Sequence, residues 1–245
     1  MSGARRWVVT GTGTGVGKTV VTAALAAAWC AAGCRVTVVK PAQTGVGADE
    51  PGDMDEVRRL VGPLGGTGDI RAGGDGEPLS TVEPVRLPDP LAPATAARLA
   101  GVAAPEPRSA ARRIVPLAVG RDLLLVEGAG GLLVPFDSAG GTIADLADEL
   151  GAELLVVTGM GLGAINATAL TVEAIRNRGL PLRGLVWGAV PRDPDLAERT
   201  NREDMARWVG IPVVGGVPEG AALLPPARFG AEASGWFAPE VLPAG

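Results

Sequence analysis

The sequence predicts an α/β fold in which helices cover both faces of a mainly parallel, doubly wound β-sheet. Short runs of Val and Leu without polar alternation, such as 122–127, are typical of parallel strands that are buried on both faces. Segments with helical patterning alternate with these runs, as expected when a crossover helix follows each parallel strand. A glycine-rich stretch, GTGTGVGKT at 11–19, joins the first run to the first helical segment.

The order of these segments defines the predicted elements. Strands are expected at 7–10, 35–40, 122–127, 153–158, 184–190 and 212–214. Helices are expected at 18–32, 53–61, 94–101, 108–119, 142–150, 164–178 and 195–209. The segment 62–92 is rich in Gly, Pro and Asp, and we expect a long surface excursion with little regular structure. We expect a single domain over 1–245, ending in an irregular tail at 216–245 that holds a short helix at most.

Composition excludes several classes of function. The chain has no His and no Tyr, which excludes imidazole catalysis and any Ser/His/Asp triad. A net charge of −5 argues against a nucleic-acid partner. Apolar runs are too short or interrupted to span a bilayer and no signal segment is recognised, so we expect a cytoplasmic protein without a membrane partner. Cys30 and Cys34 lack metal-ligand spacing and are expected to be buried free thiols.

The glycine-rich stretch has the context of a phosphate-binding loop, so the fold is expected to be P-loop NTPase-like. It follows a strand and opens a helix, and its backbone N–H groups would therefore face phosphate oxygens. Lys18 would meet β- and γ-phosphate oxygens, and the Thr19 hydroxyl would bind Mg²⁺. The strict pattern fails by one residue, because Thr12 stands where its first glycine is expected. The nucleotide-binding residues predicted here are Gly15, Val16, Gly17, Lys18, Thr19 and Val20.

Lysine is rare in this chain. Of 22 basic residues only two are lysines, Lys18 and Lys40. A compact, flexible ammonium group is therefore expected to be required at both positions. Lys40 ends the second predicted strand, at the sheet edge where α/β proteins bind ligands, although a solvated lysine at a strand end is the alternative. Thr44 brings a hydroxyl to the same edge.

Two carboxylates are candidates for a metal site, and both are expected at loop edges rather than in the core. Glu127 ends a predicted strand, where nucleoside triphosphatases place a carboxylate on the metal side; a solvent-facing Glu is the alternative. Asp53 begins a predicted helix, where it is either a metal ligand or a helix cap. Glycines after Glu127 would let the backbone approach a ligand closely. The nucleotide-binding residues expected there are Gly128, Ala129 and Gly130.

Three motifs in this order resemble the dethiobiotin synthetase family. They are GTGTGVGKT at 11–19, KPAQTG at 40–45 and VEGAGGLLVP at 126–135. The later TGMGLGAIN at 158–166 is similar to that family's dimer-interface segment, so the resemblance covers most of the chain and is weak only in 62–92 and the tail. The displaced first glycine is itself the family's form of the loop.

The resemblance implies an ATP-dependent ligase of biotin biosynthesis. In this family one amine of 7,8-diaminopelargonic acid takes up CO₂ as a carbamate, the carbamate attacks the γ-phosphate, and the second amine closes a cyclic urea. Lys18 and Lys40 would offset the repulsion between the carbamate and the γ-phosphoryl group. Thr14 and Thr44 would hydrogen-bond the carbamate or the diamine. The implied catalytic residues are Lys40, Lys18 and Thr14, and the implied Mg²⁺ ligands are Thr19, Asp53 and Glu127.

The resemblance also implies a homodimer with active sites at its interface. A helix start in the partner subunit would hold the far carboxylate of the substrate, which needs no basic side chain. The matching residues are Gly163, Ala164, Ile165 and Asn166. Where the family often has an adenine-reading Asn, this chain has Gly188. Base recognition is then expected to rest on backbone around Val217, Pro218 and Glu219, and nucleoside triphosphates other than ATP are expected to be accepted.

Two other classes of protein share parts of this pattern. A regulatory ATPase of the MinD/ParA type carries a further lysine five residues before the loop lysine, where this chain has Gly13. It also usually has a basic or amphipathic face for DNA or a membrane. A ligase of the cobyrinate amidase type needs a glutaminase Cys/His pair, which a chain without His lacks.

Overall fold

The computed structural model describes residues 3–63 and 77–243. Its strands are β1 (Arg5–Gly11), β2 (Val36–Val39), β3 (Gln43–Thr44), β4 (Leu79–Val82), β5 (Arg86–Leu87), β6 (Leu123–Glu127), β7 (Glu153–Thr158), β8 (Leu182–Val190) and β9 (Val213–Pro218). Its α-helices are α1 (Lys18–Ala31), α2 (Asp53–Val61), α3 (Pro93–Ala100), α4 (Pro107–Ile114), α5 (Ile143–Leu150), α6 (Ala164–Asn177), α7 (Leu196–Val209) and α8 (Pro226–Ala233).

Within the described residues, seven strands form one parallel sheet in the order β4-β2-β6-β1-β7-β8-β9. The central strand β1 pairs with β6 on one side and β7 on the other, and its Val8 and Val9 are fully buried on opposite faces. β3 and β5 pair separately as a short parallel ribbon. The continuous apolar strands therefore form the doubly wound sheet that the sequence predicts.

Two hydrophobic cores lie on the two faces of the sheet. On one face α1, α2 and α8 pack over Trp7, whose ring meets that of Trp29 edge-on at 5.5 Å between centroids. On the other face α4, α5, α6 and α7 pack around side chains such as Phe136 and Ile143. α1 is buried along most of its length because it is rich in Ala, which lets the helix lie close to the sheet.

The predicted excursion at 62–92 contains more structure than expected. Residues 64–76 lie outside the described part of the chain. After them, β4 adds an edge strand to the main sheet by pairing with β2, and β5 pairs with β3. The prediction of little regular structure is therefore wrong for 77–92. An edge strand needs burial on one side only, and β4 buries Leu79 alone among its residues, so it lacks a continuous apolar run.

Smaller differences have local causes. The helix expected at 108–119 is shorter in the structure, where α4 ends at Ile114. A 3-10 turn at Val115–Ala118 follows, because Pro116 has no N–H to continue the α-helix. β9 extends to Pro218, into the predicted irregular tail. That tail also packs on the core, since α8 buries Phe229 completely. Cys34 is half-buried rather than buried, and Cys30 is buried as expected. In residues 3–63 and 77–243, no helix is long and apolar enough to cross a membrane.

Candidate active site

The phosphate loop lies between β1 and α1 and closes around the side chain of Lys18. Gly17 precedes the helix with φ 94°, a left-handed conformation that favours glycine. The Lys18 ammonium donates to the Gly13 carbonyl at 2.8 Å. None of the described side chains caps α1, and its first turn carries no acidic residue. The backbone N–H groups at this helix start therefore suit an anion such as phosphate.

Lys40 and two carboxylates form an ion cluster at the carboxyl edge of the sheet. Lys40 follows β2, Glu127 ends the adjacent β6, and Asp53 begins α2. Lys40 Nζ lies 2.5 Å from Asp53 Oδ2 and 2.8 Å from Glu127 Oε1, and it donates to the Gly128 carbonyl at 3.0 Å. The Thr19 hydroxyl donates to the same Glu127 oxygen at 2.8 Å. The fold thus brings together side chains that the sequence identified in separate motifs.

The electrostatics of this cluster keep Lys40 charged. Burial opposes its charge, since Lys40 is only 4% exposed, but the negative charges of Glu127 and Asp53 outweigh burial and raise the pKa of Lys40. Lys18 is in the opposite situation: burial first, and then repulsion from Lys40, lowers the pKa of Lys18 to about 8. Lys40 is therefore a fixed positive charge at neutral pH, whereas Lys18 begins to lose its proton just above it.

The oxygens of Thr19, Asp53 and Glu127 suit a hard divalent cation. Glu127 is fully buried, and its Oε2 accepts no hydrogen bond from the described residues. A cation would satisfy this otherwise costly buried oxygen. The described residues hold no group of three or more His, Cys, Asp or Glu arranged for a metal, so phosphate and water oxygens would complete the shell of a Mg²⁺ ion.

Burial of Glu127 also corrects the expectation that both carboxylates lie at loop edges. Glu127 belongs to the core, and the solvent-facing alternative is excluded. Asp53, whose side chain is 32% exposed, does lie at an edge. Asp53 is not the cap of α2, because Gly52 holds the N-cap position and its N–H donates to Asp55 at 2.8 Å. The Asp53 carboxylate instead pairs with Lys40, and its role as a metal ligand stays a prediction.

The ion cluster lines a cavity of about 720 Å³, large enough for a nucleotide phosphate group together with a small substrate. Most of the predicted site residues line it, namely Thr14, Gly15, Gly17, Lys18, Thr19, Val20, Lys40, Thr44, Asp53, Glu127, Ala129 and Gly130.

Sequence reasoning missed one wall of this cavity. Gln43, Val134 and the turn 90–93 before α3 line it as well. The turn belongs to the segment predicted as a surface excursion, so that segment contributes to the site. Pro93 at the first position of α3 was the available signal, because proline there marks a helix start.

Gly188 packs against the back of the phosphate loop instead of lining the cavity. A Cβ on Gly188 would lie 1.6 Å from the Val16 carbonyl oxygen, and a Cβ on Gly17 would lie 2.6 Å from the Gly188 carbonyl oxygen. Two backbone segments therefore touch here, and any side chain at 188 would displace the loop. Val16 and Gly128 also lie behind the cavity, where the Gly128 carbonyl accepts from Lys40.

Two further predicted segments lie at the same sheet edge but outside the cavity lining. Val217 and Pro218 end β9, and Glu219 follows, its N–H donating to the Val190 carbonyl at 2.8 Å. The segment 163–166 begins α6 just after β7, and Gly163 and Asn166 are exposed. The roles predicted for them, in reading the base and in binding the substrate of a partner subunit, stay predictions.

The sequence matches a family model described as an AAA domain over residues 5–227. It is 52% identical over 234 residues to the ATP-dependent dethiobiotin synthetase BioD of Streptomyces coelicolor, which covers 96% of this chain and 92% of that protein. Against BioD of Frankia casuarinae it is 53% identical, covering 91% of this chain and 87% of that one. The chain belongs to the dethiobiotin synthetase family. A more distant synthetase, from Corynebacterium kroppenstedtii, is still 44% identical over 96% of this chain and 95% of its own length.

Solved structures add the fold that dethiobiotin synthetases share with other nucleotide-binding proteins. The septum site-determining protein MinD complexed with Mg-ADP, from Pyrococcus horikoshii, superimposes with a TM-score of 0.60 at 16% identity, covering 97% of this chain and 94% of that one. A ParA family ATPase from Chlorobium tepidum gives 0.57 at 15% identity, covering 95% and 98%. At such low identity these matches confirm the P-loop NTPase-like fold alone.

Proposed function

We propose that this protein closes the ureido ring of dethiobiotin from 7,8-diaminopelargonic acid, CO₂ and ATP, as a step of biotin biosynthesis. The observation that carries the proposal is the ion cluster: Lys40 lies between Glu127 and Asp53 in the cavity that Lys18 and the phosphate loop also line. Membership of the synthetase family supplies the substrates, and the cluster supplies the charges that this reaction needs.

The reaction brings anions together. One amine of the substrate attacks CO₂ and loses a proton, which leaves a carbamate. A carbamate oxygen attacks the γ-phosphorus, ADP leaves, and a mixed anhydride forms. The second amine attacks the anhydride carbon and loses a proton, the C–O bond to phosphate breaks, phosphate leaves, and the ring closes. Both the carbamate and the γ-phosphoryl group are negative, so preorganised positive charge is the main requirement, and no histidine is needed.

The residues divide this work by position. Lys18 and the helix start would hold the β- and γ-phosphates. Thr19, Asp53 and Glu127 would hold Mg²⁺, which when bound offsets phosphate charge. Thr14 lies exposed at the cavity wall, near the place where the carbamate would meet the γ-phosphate, and its hydroxyl can bind either group.

Lys40 must exchange a partner to bind the carbamate. All three hydrogens of its ammonium group are used, by Asp53, Glu127 and the Gly128 carbonyl. Glu127 is fully buried, and Gly128 contributes a backbone carbonyl, so neither can move easily. The Asp53 side chain, at the start of α2, is 32% exposed. The Asp53 side chain is therefore the partner that can turn away from Lys40 while its backbone stays in place. Thr44, on the same cavity wall, can donate to the diamine end of the substrate.

A homodimer forms part of this proposal. The segment 163–166 begins α6 at the carboxyl edge of the sheet but does not line its own subunit's cavity. This is the placement expected of a segment that binds the substrate of a partner subunit. Leu162 and Leu170 next to it are 96% and 60% exposed, which is apolar surface that a partner subunit would cover. Each subunit, as one domain over 1–245, would then hold one phosphate loop. Sedimentation of the purified protein as a monomer in the presence of substrates would refute the dimer.

A turnover assay tests the function. The purified protein, incubated with the diamine, bicarbonate and MgATP, should release ADP, phosphate and dethiobiotin in equal amounts, measured by mass spectrometry and coupled ADP detection. Omitting bicarbonate or the diamine should stop product formation, and Lys40→Met should serve as the inactive control. ATP hydrolysis that proceeds without the diamine, and without dethiobiotin as product, would refute the proposal and favour an ATPase switch.

A further inference from the structure

We propose that Arg86 is a positioning residue that holds Asp53 in the active site by clamping the loop 45–52. This loop joins β3 to α2 and so delivers Asp53 to Lys40. Arg86 lies in β5, outside the cavity lining, in the segment whose sequence predicted little structure. The inference rests on the proposed function only for the role of Asp53 toward Mg²⁺.

Backbone hydrogen bonds from Gly45 and Val46 hold the start of the loop, and one guanidinium group ties the rest of it to the protein. Arg86 Nη1 donates to the carbonyls of Gly47, at 3.1 Å, and Glu50. Its Nε donates to Glu83 Oε1 at 2.7 Å, and its Nη2 lies 3.6 Å from Asp55 Oδ2 in the first turn of α2. One side chain therefore contacts the loop, the β4–β5 turn and the start of the helix at once. Only the forked, multiply donating group of arginine can do this.

The network reaches the backbone of Asp53 through Gly52. Three side-chain atoms fill the space where a Cβ of Gly52 would stand: Glu83 Oε2 at 2.9 Å, Arg86 Nη2 at 3.0 Å and Gln43 Oε1 at 3.2 Å. Gly52 has an extended backbone that any residue adopts, so this packing is the reason for glycine. The same Gln43 oxygen accepts from the Asp53 N–H at 2.9 Å. Displacing Arg86 would thus shift the backbone of Asp53 and, with it, the position of the Asp53 carboxylate.

The positive charge of Arg86 also compensates the negative charges of Glu83 and Asp55. The Glu83 side chain is 10% exposed, and its Oε2 has no hydrogen-bond partner among the described residues. Without Arg86, Glu83 and Asp55 would lie close together beside Asp53 with less compensating charge. Arg58 offers a matched comparison, because it also binds Asp55, and additionally Thr81, but its contacts are with α2 and β4 rather than with the loop.

The test measures binding of a non-hydrolysable ATP analogue as a function of Mg²⁺ concentration, by isothermal titration calorimetry. Arg86→Gln should require about 10- to 100-fold more Mg²⁺ for half-maximal enhancement of binding, the range typical of residues that orient metal ligands. Binding of the analogue without Mg²⁺ should stay as in the wild type, because the phosphate loop is untouched. Arg58→Gln should match the wild type in both measurements.

Two results would overturn the clamp. One is an unchanged Mg²⁺ dependence in Arg86→Gln; the other is an equal shift in Arg58→Gln, which would mean that charge near Asp55 matters and the loop contacts do not. If Arg86→Gln does not fold, Gly52→Ala carries the test. Its methyl group would push on Glu83, Arg86 and Gln43, and it should shift the Mg²⁺ dependence in the same direction. An unchanged dependence would overturn the inference. Because dethiobiotin formation is not the readout, failure of the proposed function would be seen separately.

Discussion

Lys40→Arg keeps the charge at the centre of the ion cluster and changes only its shape. Lys40 is 4% exposed, and its ammonium group has acceptors at 2.5, 2.8 and 3.0 Å. A guanidinium group is larger and planar, and presents its donors in a fork. Glu127 and the Gly128 carbonyl belong to packed backbone and cannot retreat freely. We therefore expect overpacking to lower the free energy of unfolding by about 1–3 kcal/mol.

Activity should fall much further than stability. Moving a reacting charge by about 1 Å costs about 100-fold in rate, so kcat of Lys40→Arg should be lower than that of the wild type by about this factor or more. Nucleotide affinity should change little, since Lys18 and the loop carry it. Initial rates of dethiobiotin formation, calorimetric nucleotide binding and thermal unfolding of the same preparations separate these three quantities.

Lys40→Met is the matched variant, because it removes the charge and keeps a similar length. It leaves the fully buried Glu127 without its cation, and breaking a buried pair in this way costs about 3–5 kcal/mol. Lys40→Met should therefore be less stable than Lys40→Arg, and both should be nearly inactive. A Lys40→Arg enzyme with kcat close to the wild type would refute the reasoning, because charge alone would then be sufficient.

Three other predictions concern the carboxylates, the phosphate loop and the base. Asp53→Ala should raise the Mg²⁺ concentration needed for half-maximal rate with little change in Tm, whereas Glu127→Ala should change both, because Glu127 is fully buried. A lower Tm of Asp53→Ala with an unchanged Mg²⁺ dependence would leave Asp53 a structural role only, through its ion pair with Lys40. Triphosphate affinity, measured by calorimetry, should weaken about tenfold from pH 7 to pH 9 as Lys18, with its pKa near 8, loses its proton in the free protein; a flat profile would contradict this. In competition assays CTP, GTP and UTP should show KM values within roughly a hundredfold of that for ATP, since Gly188 offers no side chain to a base, and strict ATP preference would contradict this.

The sheet was predictable where strands are buried on both faces. β6 and β7 are continuous apolar runs because each has a neighbouring strand on both sides and helices above and below. β4 has one neighbour and one buried side chain, Leu79, so its sequence shows no such run. β4 is a strand because it forms hydrogen bonds with β2. Because β2 is distant in the sequence, this pairing leaves no pattern in the residues of β4 that could predict it.

The site was predictable by the same logic, because residues that end parallel strands meet at one edge. Lys40 and Glu127 come together for this reason, with Thr19 at the start of the first helix. Spacing alone could not decide whether Asp53 is a helix cap or a metal ligand. In the structure the cap of α2 is Gly52, the Asp53 carboxylate pairs with Lys40, and the metal role stays a prediction. The turn 90–93 reaches the cavity through tertiary packing of α3, for which the sequence offers only a proline at a helix start.

The contact between Gly17 and Gly188 bears on the predicted tolerance of nucleotides other than ATP. The loop lies directly on β8, with the Val16 carbonyl in the space that a Cβ at 188 would need. The phosphate-binding backbone is thereby fixed against the sheet with no side chain between them. A side chain at 188 long enough to reach a base would first have to lift the loop away from the strand, and Lys18 with it. In this chain the backbone at 188 therefore supports the phosphate loop, and we predict that it does not read the base. Phosphate is the part that every nucleoside triphosphate shares.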